Sequence, residues 1–351
     1  MRDVAIVSFA QAPAQSRVET TETQMLYPVV NEAIARSGLE RRDIGFTCSG
    51  SADYLQGAPF AFVGNLEATG AWPPISESHV EMDGAWALYE AWVRLQHGDV
   101  DAALVFSSGI SSKANLREVL CLQSDPYYLM PLWADPWSLA ALQARAFLDA
   151  NGHDERSLAE VVARSRRLAS GNPNAQVSGE VSVDDLLAEP HVVSPLRASD
   201  APPVSDGAAA IVLVAGEAAR EACEHPAWIR GIDHRADPHY PGVRDLSTSA
   251  SARQAAEAAG VAGGPVEVAE LHASFSHEEL ILRDALGLDD DVEVNPSGGP
   301  LCGNPMMVSG LVRLGEAFRQ INEHGKQRTV GHAASGPCLQ QNLVCVLEGD
   351  A

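Results

Sequence analysis

Four segments of this 351-residue chain carry side chains that could do chemistry. His272 lies in the run ELHASFSHEEL, Asn304 in NPSGGPLCGNPMMVSG and Cys338 in GHAASGPCLQQNLVCVLEG, while Glu81 precedes a helical pattern in SHVEMDGAWALYEAW. An imidazole, a thiol or a carboxylate can move a proton, and an amide can donate a hydrogen bond to an oxyanion. Each of the four also fits an ordinary structural role, so the residue types alone leave both interpretations open.

The charge balance excludes several classes of partner. The chain has 24 Lys and Arg residues against 47 Asp and Glu residues, a formal net charge of −23. Such an acidic surface repels phosphate backbones and anionic lipid headgroups, which argues against binding to nucleic acid or to a membrane surface. Lys113 and Lys326 are the only lysines and no P-loop pattern occurs, so neither a phosphate-binding lysine loop nor a Schiff-base lysine is expected.

Hydropathy and cysteine usage predict a soluble, cytoplasmic protein. Hydrophobic residues make up 46% of the chain, which is enough for a sizeable core. No run reaches the roughly 18 apolar residues of a membrane span, and the N-terminal MRDVAIVSFAQAP lacks the apolar length of a signal peptide. The six cysteines are scattered without a CxxC pair, which favours reduced thiols over disulfides, and we expect no metal site.

Strand-like and helical runs alternate along the N-terminal part of the chain. The pattern predicts strands over Val4–Phe9, Phe46–Cys48 and Ala102–Phe106, and helices over Glu22–Ser37 and Gly84–Gln96. This βαβαβ order predicts a mainly parallel sheet covered by helices.

The alternation is then interrupted and repeated. Aromatic and proline-rich stretches between 113 and 204 indicate an inserted lobe, after which Asp206–Val214 predicts a buried strand. A second alternation follows, with helices predicted over Ala250–Ala259 and Glu278–Leu286. We therefore predict an N-terminal half over 1–112, a lobe over 113–204, the last strand of the first half over 205–218, and a C-terminal half over 219–351.

Taken in order, VSDGAAA, ELHASFSHEEL, NPSGGPLCGNPMMVSG and SGPCLQQNLVC resemble the thiolase superfamily, in particular its branch of sterol-carrier-protein-x thiolases and lipid-transfer proteins. The resemblance covers essentially the whole chain and keeps the order of the motifs. It implies an α/β fold of two duplicated βαβαβαββ halves in five αβαβα layers, with an inserted loop lobe. It also implies a CoA thioester as substrate and no covalently bound cofactor.

The nucleophile position departs from the family pattern. Aligning the family motif Cys-Ala-Ser/Thr-Gly-x-x-Ala-Leu on Gly84, Ala87 and Leu88 places Glu81 where the cysteine would stand. A carboxylate is a poor acyl acceptor, so ordinary thiolysis or Claisen condensation is not expected. Glu81 and Asp83 also fit as acids at the start of a helix, where the dipole holds them ionised.

The other three family positions are partly retained. The resemblance implies that His272 positions a water or donor near the thioester oxygen, or acts as a base. Asn304 replaces the histidine of the Gly-His-Pro loop and can donate to an oxyanion, but cannot shuttle a proton. Cys338 aligns with the acid–base cysteine, although a buried cysteine also fits as packing. His277 and Cys302 have weaker claims to the site.

Loss of the nucleophile from a retained thioester pocket points to retro-aldol chemistry, which needs a base and hydrogen-bond donors for an enolate but no acyl-enzyme. SHVEMDGAWALYEAW together with SGPCLQQNLVC resembles the lipid-transfer-protein aldolases of bacterial steroid side-chain degradation. That resemblance implies a carbon–carbon lyase that splits a steroid β-hydroxyacyl-CoA into a steroid aldehyde or ketone plus acetyl-CoA or propionyl-CoA. It also implies tyrosine hydroxyls near the old cysteine positions, but the corresponding loops here carry Leu301 and Cys338. We therefore expect His272 or Cys338 as the base and Asn304 as the enolate donor.

The alternative is a catalytically silent thiolase-like subunit that supports an active paralogue or a partner protein. The resemblance implies a small partner with an OB fold and a zinc-ribbon-like segment. It also implies an obligate dimer, either a homodimer or a heteromer with a thiolase-like paralogue, that buries the Ser78–Trp86 region.

The lobe offers candidate contacts for the CoA moiety. Basic residues there that could meet its phosphates are Arg164, Arg167 and Arg197, with Arg145 and Arg166 as further candidates, and all of them also fit as solvated helix-face arginines. The aromatic residues Tyr127, Tyr128, Trp133 and Trp137 are expected to form a local hydrophobic core, with a wall for an apolar steroid as the alternative.

Overall fold

The computed structural model describes residues 2–57, 59–70 and 76–350. Its strands are β1 Val4–Gln11, β2 Phe46–Gly50, β3 Glu77–Val80, β4 Ala102–Ile110, β5 His191–Val193, β6 Leu196–Arg197, β7 Val204–Ala215, β8 Ala227–Ala236, β9 Val268–Glu270, β10 Glu293–Val294, β11 Asn304–Pro305, β12 Arg328–Ser335 and β13 Gln341–Glu348. Its α-helices are α1 Glu22–Arg36, α2 Asp53–Gln56, α3 Leu66–Thr69, α4 Gly84–His97, α5 Leu116–Leu122, α6 Pro136–Asn151, α7 Glu155–Leu168, α8 Val183–Ala188, α9 Ala218–Ala222, α10 Ala250–Ala259, α11 Ser276–Leu286 and α12 Ser309–Asn322.

The two halves of the chain repeat one strand arrangement. The order is β3-β2-β4-β7-β1 in the N-terminal half and β10-β9-β12-β13-β8 in the C-terminal half. In each half, the three strands at the outer edge of the sheet pair in parallel. The last strand of the half in chain order then lies antiparallel to both of its neighbours: β7 between β4 and β1, and β13 between β12 and β8. The halves meet where β1 pairs with β8 at Ala5 and Ile6. The sheets are therefore mixed, and the prediction of mainly parallel pairing was wrong because alternation alone does not reveal how the last strand is inserted.

The elements stack in five layers, which confirms the expected αβαβα architecture. Helices α4 and α12 lie between the two sheets, where Leu88 and Leu311 belong to one buried apolar cluster with residues of β1, β2, β4, β7, β8, β12 and β13. Helix α1 covers the outer face of the N-terminal sheet, and α10 and α11 cover that of the C-terminal sheet. Strand β7 is buried on both faces, as its small and apolar sequence indicated.

The inserted lobe lies between β4 and β7 and contains α5–α8 with the hairpin β5–β6. Its aromatic residues do not form the expected local core: Tyr127 is 82% exposed, and Tyr128 and Trp133 are each 53% exposed. Only Trp137 packs inward, with its ring 5.6 Å from that of Phe275 in an edge-on contact. None of the described helices combines the length and apolar character needed to cross a membrane.

Candidate functional site

The N-terminus of α4 is closed by Asp83. Its carboxylate accepts hydrogen bonds from the backbone N–H of Ala85 (2.9 Å), at the start of α4, and from those of Gly310 (2.9 Å) and Leu311 (3.0 Å), at the start of α12. The side chain is buried, and burial raises the pKa of Asp83 against the opposing effect of these three donors. Asp83 therefore caps two helices at once and occupies the point where both helix dipoles are positive.

Glycine makes this junction possible. A Cβ on Gly84 would lie 2.8 Å from the Cβ of Ser107 and 2.9 Å from Cδ2 of Leu311, and one on Gly310 would meet the Asp83 carboxylate. The Gly84 N–H donates to the carbonyl of Met307 at 2.9 Å. The two helix ends are thus packed too closely for a side chain at residue 84.

Glu81 points away from this junction. Its carboxylate accepts from the backbone N–H of Asp53 at 2.6 Å and lies 3.3 Å from Nε2 of His79, with half of the side chain exposed. The ungapped alignment that placed Glu81 at the nucleophile position thus selects an outward-facing residue. The acid at the buried helix end is Asp83, and the structure does not bring Glu81 to the residues described next.

His272 follows β9 and is buried beside β12. Its Nδ1 accepts the backbone N–H of Ala334 at 3.3 Å, so the proton of the neutral ring lies on Nε2. Burial lowers the pKa of His272 to about 3, helped by His332 and Arg313 and opposed by a contact with the Asn304 side chain. His272 is thus a neutral hydrogen-bond donor. The expectation that it acts as a base does not fit, because its basic nitrogen is already occupied.

Asn304 lies next to this donor. Its backbone N–H donates to Ser205 Oγ at 3.0 Å, which fixes the short strand β11 against β7, and its Nδ2 has a long 3.5 Å contact with Ser274 Oγ. Its Oδ1 is buried and makes no well-aligned hydrogen bond among the described residues. The structure therefore brings His272 and Asn304 together and leaves the Asn304 amide incompletely satisfied.

Glu278 is a site residue that the sequence analysis missed. It stands in the first turn of α11, where its carboxylate accepts the backbone N–H groups of Ser274 (2.8 Å) and Phe275 (3.1 Å). Burial raises the pKa of Glu278 to about 7, and these two donors only partly oppose that effect. A glutamate three residues into a helix is an ordinary capping signal, and nothing in the local pattern indicates a shifted pKa.

Cys338 belongs to the wall of the lobe. Its Sγ lies 3.4 Å from the carbonyl oxygen of Leu139, and it packs in one apolar cluster with Leu129, Leu139 and the half-buried Tyr240. Burial raises the pKa of Cys338 to about 12, and nearby Glu278 adds to that rise against the opposing effect of Arg244. The thiol therefore keeps its proton at neutral pH, which corrects the expectation that it acts as a base. The tyrosine that packs against this cluster is Tyr240.

The remaining thiol and histidine with weaker claims are also buried. Cys302 lies in the loop before Asn304, and burial raises the pKa of its thiol to about 11. His277 is fully buried in α11, and its Nε2 lies 3.1 Å from Oε1 of Gln143.

The candidate arginines of the lobe differ in whether they form ion pairs with neighbouring carboxylates. Arg164 pairs with the buried carboxylate of Glu279, and Arg197 lies 2.7 Å from Glu155 and donates to the carbonyl of Glu189. These two therefore join the lobe to its surroundings and do not fit the expected phosphate contacts. Arg167 is exposed at the end of α7 and stays a candidate. In the described part of the chain, no three His, Cys, Asp or Glu side chains are grouped to hold a metal ion.

Both the sequence relatives and the solved structures that resemble this chain are thiolase-like proteins. An acetyl-CoA acetyltransferase of Methanothermobacter thermautotrophicus is 26% identical over 94% of both chains. Sterol carrier protein 2 of Gallus gallus is 24% identical over 90% of this chain and 63% of its own length. No protein-family model matches.

The chain is similar along nearly its whole length to members of the thiolase superfamily. Two solved structures share the fold along nearly the whole length. The Ltp2-ChsH2(DUF35) aldolase superposes with a TM-score of 0.81 at 18% identity over 99% of this chain and 98% of that one. The acetyl-CoA acetyltransferase of Bacillus anthracis gives 0.78 at 17% identity over 100% and 99%. The assignment of His272 and Asn304 as donors stays a prediction, and the buried start of α4 carries Asp83 and Gly84.

Proposed function

We propose that this thiolase-like chain is a carbon–carbon lyase that cleaves a β-hydroxyacyl-CoA by retro-aldol chemistry. The observation that carries the proposal is a contrast between the surroundings of His272 and the start of α4. His272 and Asn304 lie together, and the Asn304 amide contacts the hydroxyl of Ser274, whose backbone N–H donates to the buried carboxylate of Glu278. The start of α4 is filled by Asp83. An acyl-enzyme needs a nucleophile, whereas a retro-aldol step does not.

The reaction follows from these groups. Ionised Glu278 takes the proton of the β-hydroxyl, the electron pair of that O–H forms the new carbonyl, and the bond between the α and β carbons breaks. The electron pair of that bond passes into the thioester as an enolate, whose oxygen accepts hydrogen bonds from His272 Nε2–H and the Asn304 amide. Return of the proton to the α carbon releases the shortened acyl-CoA and an aldehyde or ketone.

A bulky apolar acyl group fits the surroundings of this site. The exposed side chains of Tyr127, Leu132 and Trp133 lie within five residues of Tyr128 in the chain. The ring of Tyr128 stacks on that of Tyr240 at 4.9 Å, and Tyr240 packs against the cluster that contains Cys338. This supports a steroid side-chain thioester as substrate, with release of acetyl-CoA or propionyl-CoA. The structural likeness to the Ltp2-ChsH2(DUF35) aldolase supports a small partner with an OB fold and a zinc-ribbon-like segment for this chain as well.

A silent subunit is the second candidate, and Asp83 is the observation that favours it. The carboxylate fills a place where the N-termini of α4 and α12 converge, so the chain itself occupies a position where an anionic group of a ligand could bind. In this case the chain would stabilise an active paralogue or dock a partner without turning over substrate.

The test is an assay on a steroid β-hydroxyacyl-CoA with and without the OB-fold partner, with mass detection of the short acyl-CoA and of the carbonyl product. We expect release in at least one condition, reduced roughly 100-fold or more in His272→Ala and in Asn304→Ala. No release in either condition from a folded protein would overturn the lyase and leave the silent subunit. Release that both variants retain in full would place the chemistry elsewhere.

A further inference from the structure

A buried chain of hydrogen bonds lies behind His272. The backbone N–H of His272 donates to Nδ1 of His332 at 3.3 Å, and Nε2 of His332 lies 3.0 Å from Oδ1 of Asn342. Nδ2 of Asn342 donates onward to Ser251 Oγ at 2.7 Å and to the carbonyl of Leu339 at 2.8 Å. His332 and Asn342 are fully buried, so water does not compete for these bonds.

The donor and acceptor of each hydrogen bond can be assigned by starting from the Leu339 carbonyl, at the end of the network away from His272. The Leu339 carbonyl can only accept, so the Asn342 amide nitrogen faces it and the amide oxygen faces His332. His332 must then carry its proton on Nε2, which leaves Nδ1 as the acceptor for the His272 N–H. Burial lowers the pKa of His332 to about 4, so the ring stays neutral and keeps this arrangement.

Strand β12 therefore makes two hydrogen bonds to His272, one to its backbone and one to its ring. His332 accepts from the backbone of His272, and Ala334, two residues further along the same strand, donates to its ring. The same hydrogen-bond network reaches Leu339, in the loop that carries Cys338. The loop of His272 and the loop of Cys338 are therefore fixed by one buried network.

We propose that His332 is a positioning residue: by accepting from the backbone N–H of His272, it holds that ring where the Ala334 N–H makes it an Nε2–H donor, with Asn342 setting the orientation of His332. The structural part of this inference stands on the hydrogen bonds alone; its effect on turnover rests on the proposed lyase function.

Two substitutions separate the two nitrogens of His332. In His332→Asn the side-chain oxygen can replace Nδ1 and still accept from His272, whereas the bond to Asn342 is lost. In His332→Gln the side-chain amide can replace Nε2 and still donate to Asn342, whereas the acceptor for His272 is lost. His324→Gln, at an exposed residue after α12, is the matched control.

The readouts are the imidazole ¹⁵N spectrum of histidine-labelled protein, which reports the tautomer of His272, and kcat and KM of the lyase reaction. We expect one Nε2–H form for His272 in the wild type, His332→Asn and the control, and a mixed or lost signal in His332→Gln. In His332→Gln, kcat should fall roughly 10- to 100-fold with KM within about twofold, because the donor is misplaced but the thioester site is intact.

An unchanged His272 signal in folded His332→Gln, or equal changes in both variants, would overturn the proposal. Thermal melting of all variants identifies any that fail to fold, and the less disruptive His332→Asn then carries the comparison with the control. If the wild type shows no lyase activity, the spectra still decide the positioning role, so the two failures remain distinguishable.

Discussion

The start of α4 and the surroundings of His272 are both buried and polar, yet their hydrogen bonds are used in opposite ways. At α4, the carboxylate of Asp83 is matched by three backbone donors from two helices. Around His272, the Asn304 amide makes a long contact with Ser274 Oγ, and its Oδ1 has no well-aligned partner among the described residues. The first region is fully hydrogen-bonded, whereas the second leaves a buried acceptor without a well-aligned donor.

This difference separates two regions of a thiolase-like fold. In the N-terminal half, the carboxylate of Asp83 is matched by backbone donors at the helix junction. In the C-terminal half, the buried Oδ1 of Asn304 lacks a well-aligned donor among the described residues, at some cost in stability. Substitutions in the two regions should therefore affect different quantities.

The largest expected effect is on stability at the helix junction. Asp83→Ala leaves three buried N–H groups without an acceptor, so we expect the free energy of unfolding to fall by about 3 kcal/mol or more, measured by urea denaturation. Ser182→Ala removes a single helix cap, the 3.0 Å bond to Asp185 N–H, and should cost about 1 kcal/mol. Equal costs for the two variants would contradict the double-cap interpretation of Asp83.

The next effect concerns Glu278 and should appear in the pH profile. With a pKa of about 7, the group ionises as pH rises through neutrality, so kcat of the lyase should rise over the same range. Glu278→Gln should lower kcat roughly 100-fold and abolish this rise, while Glu257→Gln, on an exposed position of α10, should change neither. A variant that keeps the wild-type profile would exclude Glu278 as the base.

The same shift predicts a change in stability with a definite sign. The pKa of Glu278 is about 7 in the folded protein against an ordinary value of 4.5, so the folded state binds this proton more tightly. Its contribution to stability is complete below about 4.5 and is lost as pH rises through about 7. Urea denaturation at several pH values should show this loss in the wild type, and it should be absent in Glu278→Gln.

A smaller effect is expected at Cys338. Because its thiol keeps its proton and packs against the lobe, Cys338→Ala should lower the free energy of unfolding by about 1 kcal/mol and change kcat by less than about threefold. Tyr240→Phe is the variant to compare with Cys338→Ala, since it removes only the hydroxyl of the tyrosine that packs against the same cluster. A loss of activity near that of His272→Ala in the cysteine variant would restore Cys338 to the chemistry.

The smallest effect should follow from Glu81→Gln. The side chain is half exposed, and a glutamine can still accept from the Asp53 N–H. We expect a change in the free energy of unfolding below about 1 kcal/mol, and turnover equal to the wild type. A large loss of turnover would mean that this acid reaches the substrate.

The sequence was most informative where local pattern and burial agree. Helix α10 matches its predicted bounds, and α4 differs from its own by one residue, because apolar periodicity and capping residues mark such helices. The position of His272 beside Asn304 could be expected from the order of the motifs. The shifted pKa of Glu278 could not, because it arises from burial by segments distant in the chain. The exposure of Tyr127 was missed for a related reason, since aromatic composition predicts a core but does not say which side chains reach it.

Gly84 bears on which side chains the start of α4 can accept. A cysteine at this first residue of α4 would place its Cβ 2.8 Å from that of Ser107 and 2.9 Å from Cδ2 of Leu311, inside ordinary contact distance. The surrounding residues would have to move before a thiol could stand there. Because Ser107 lies on β4 and Leu311 on α12, a nucleophile at this helix end would require coordinated changes in three elements of the fold.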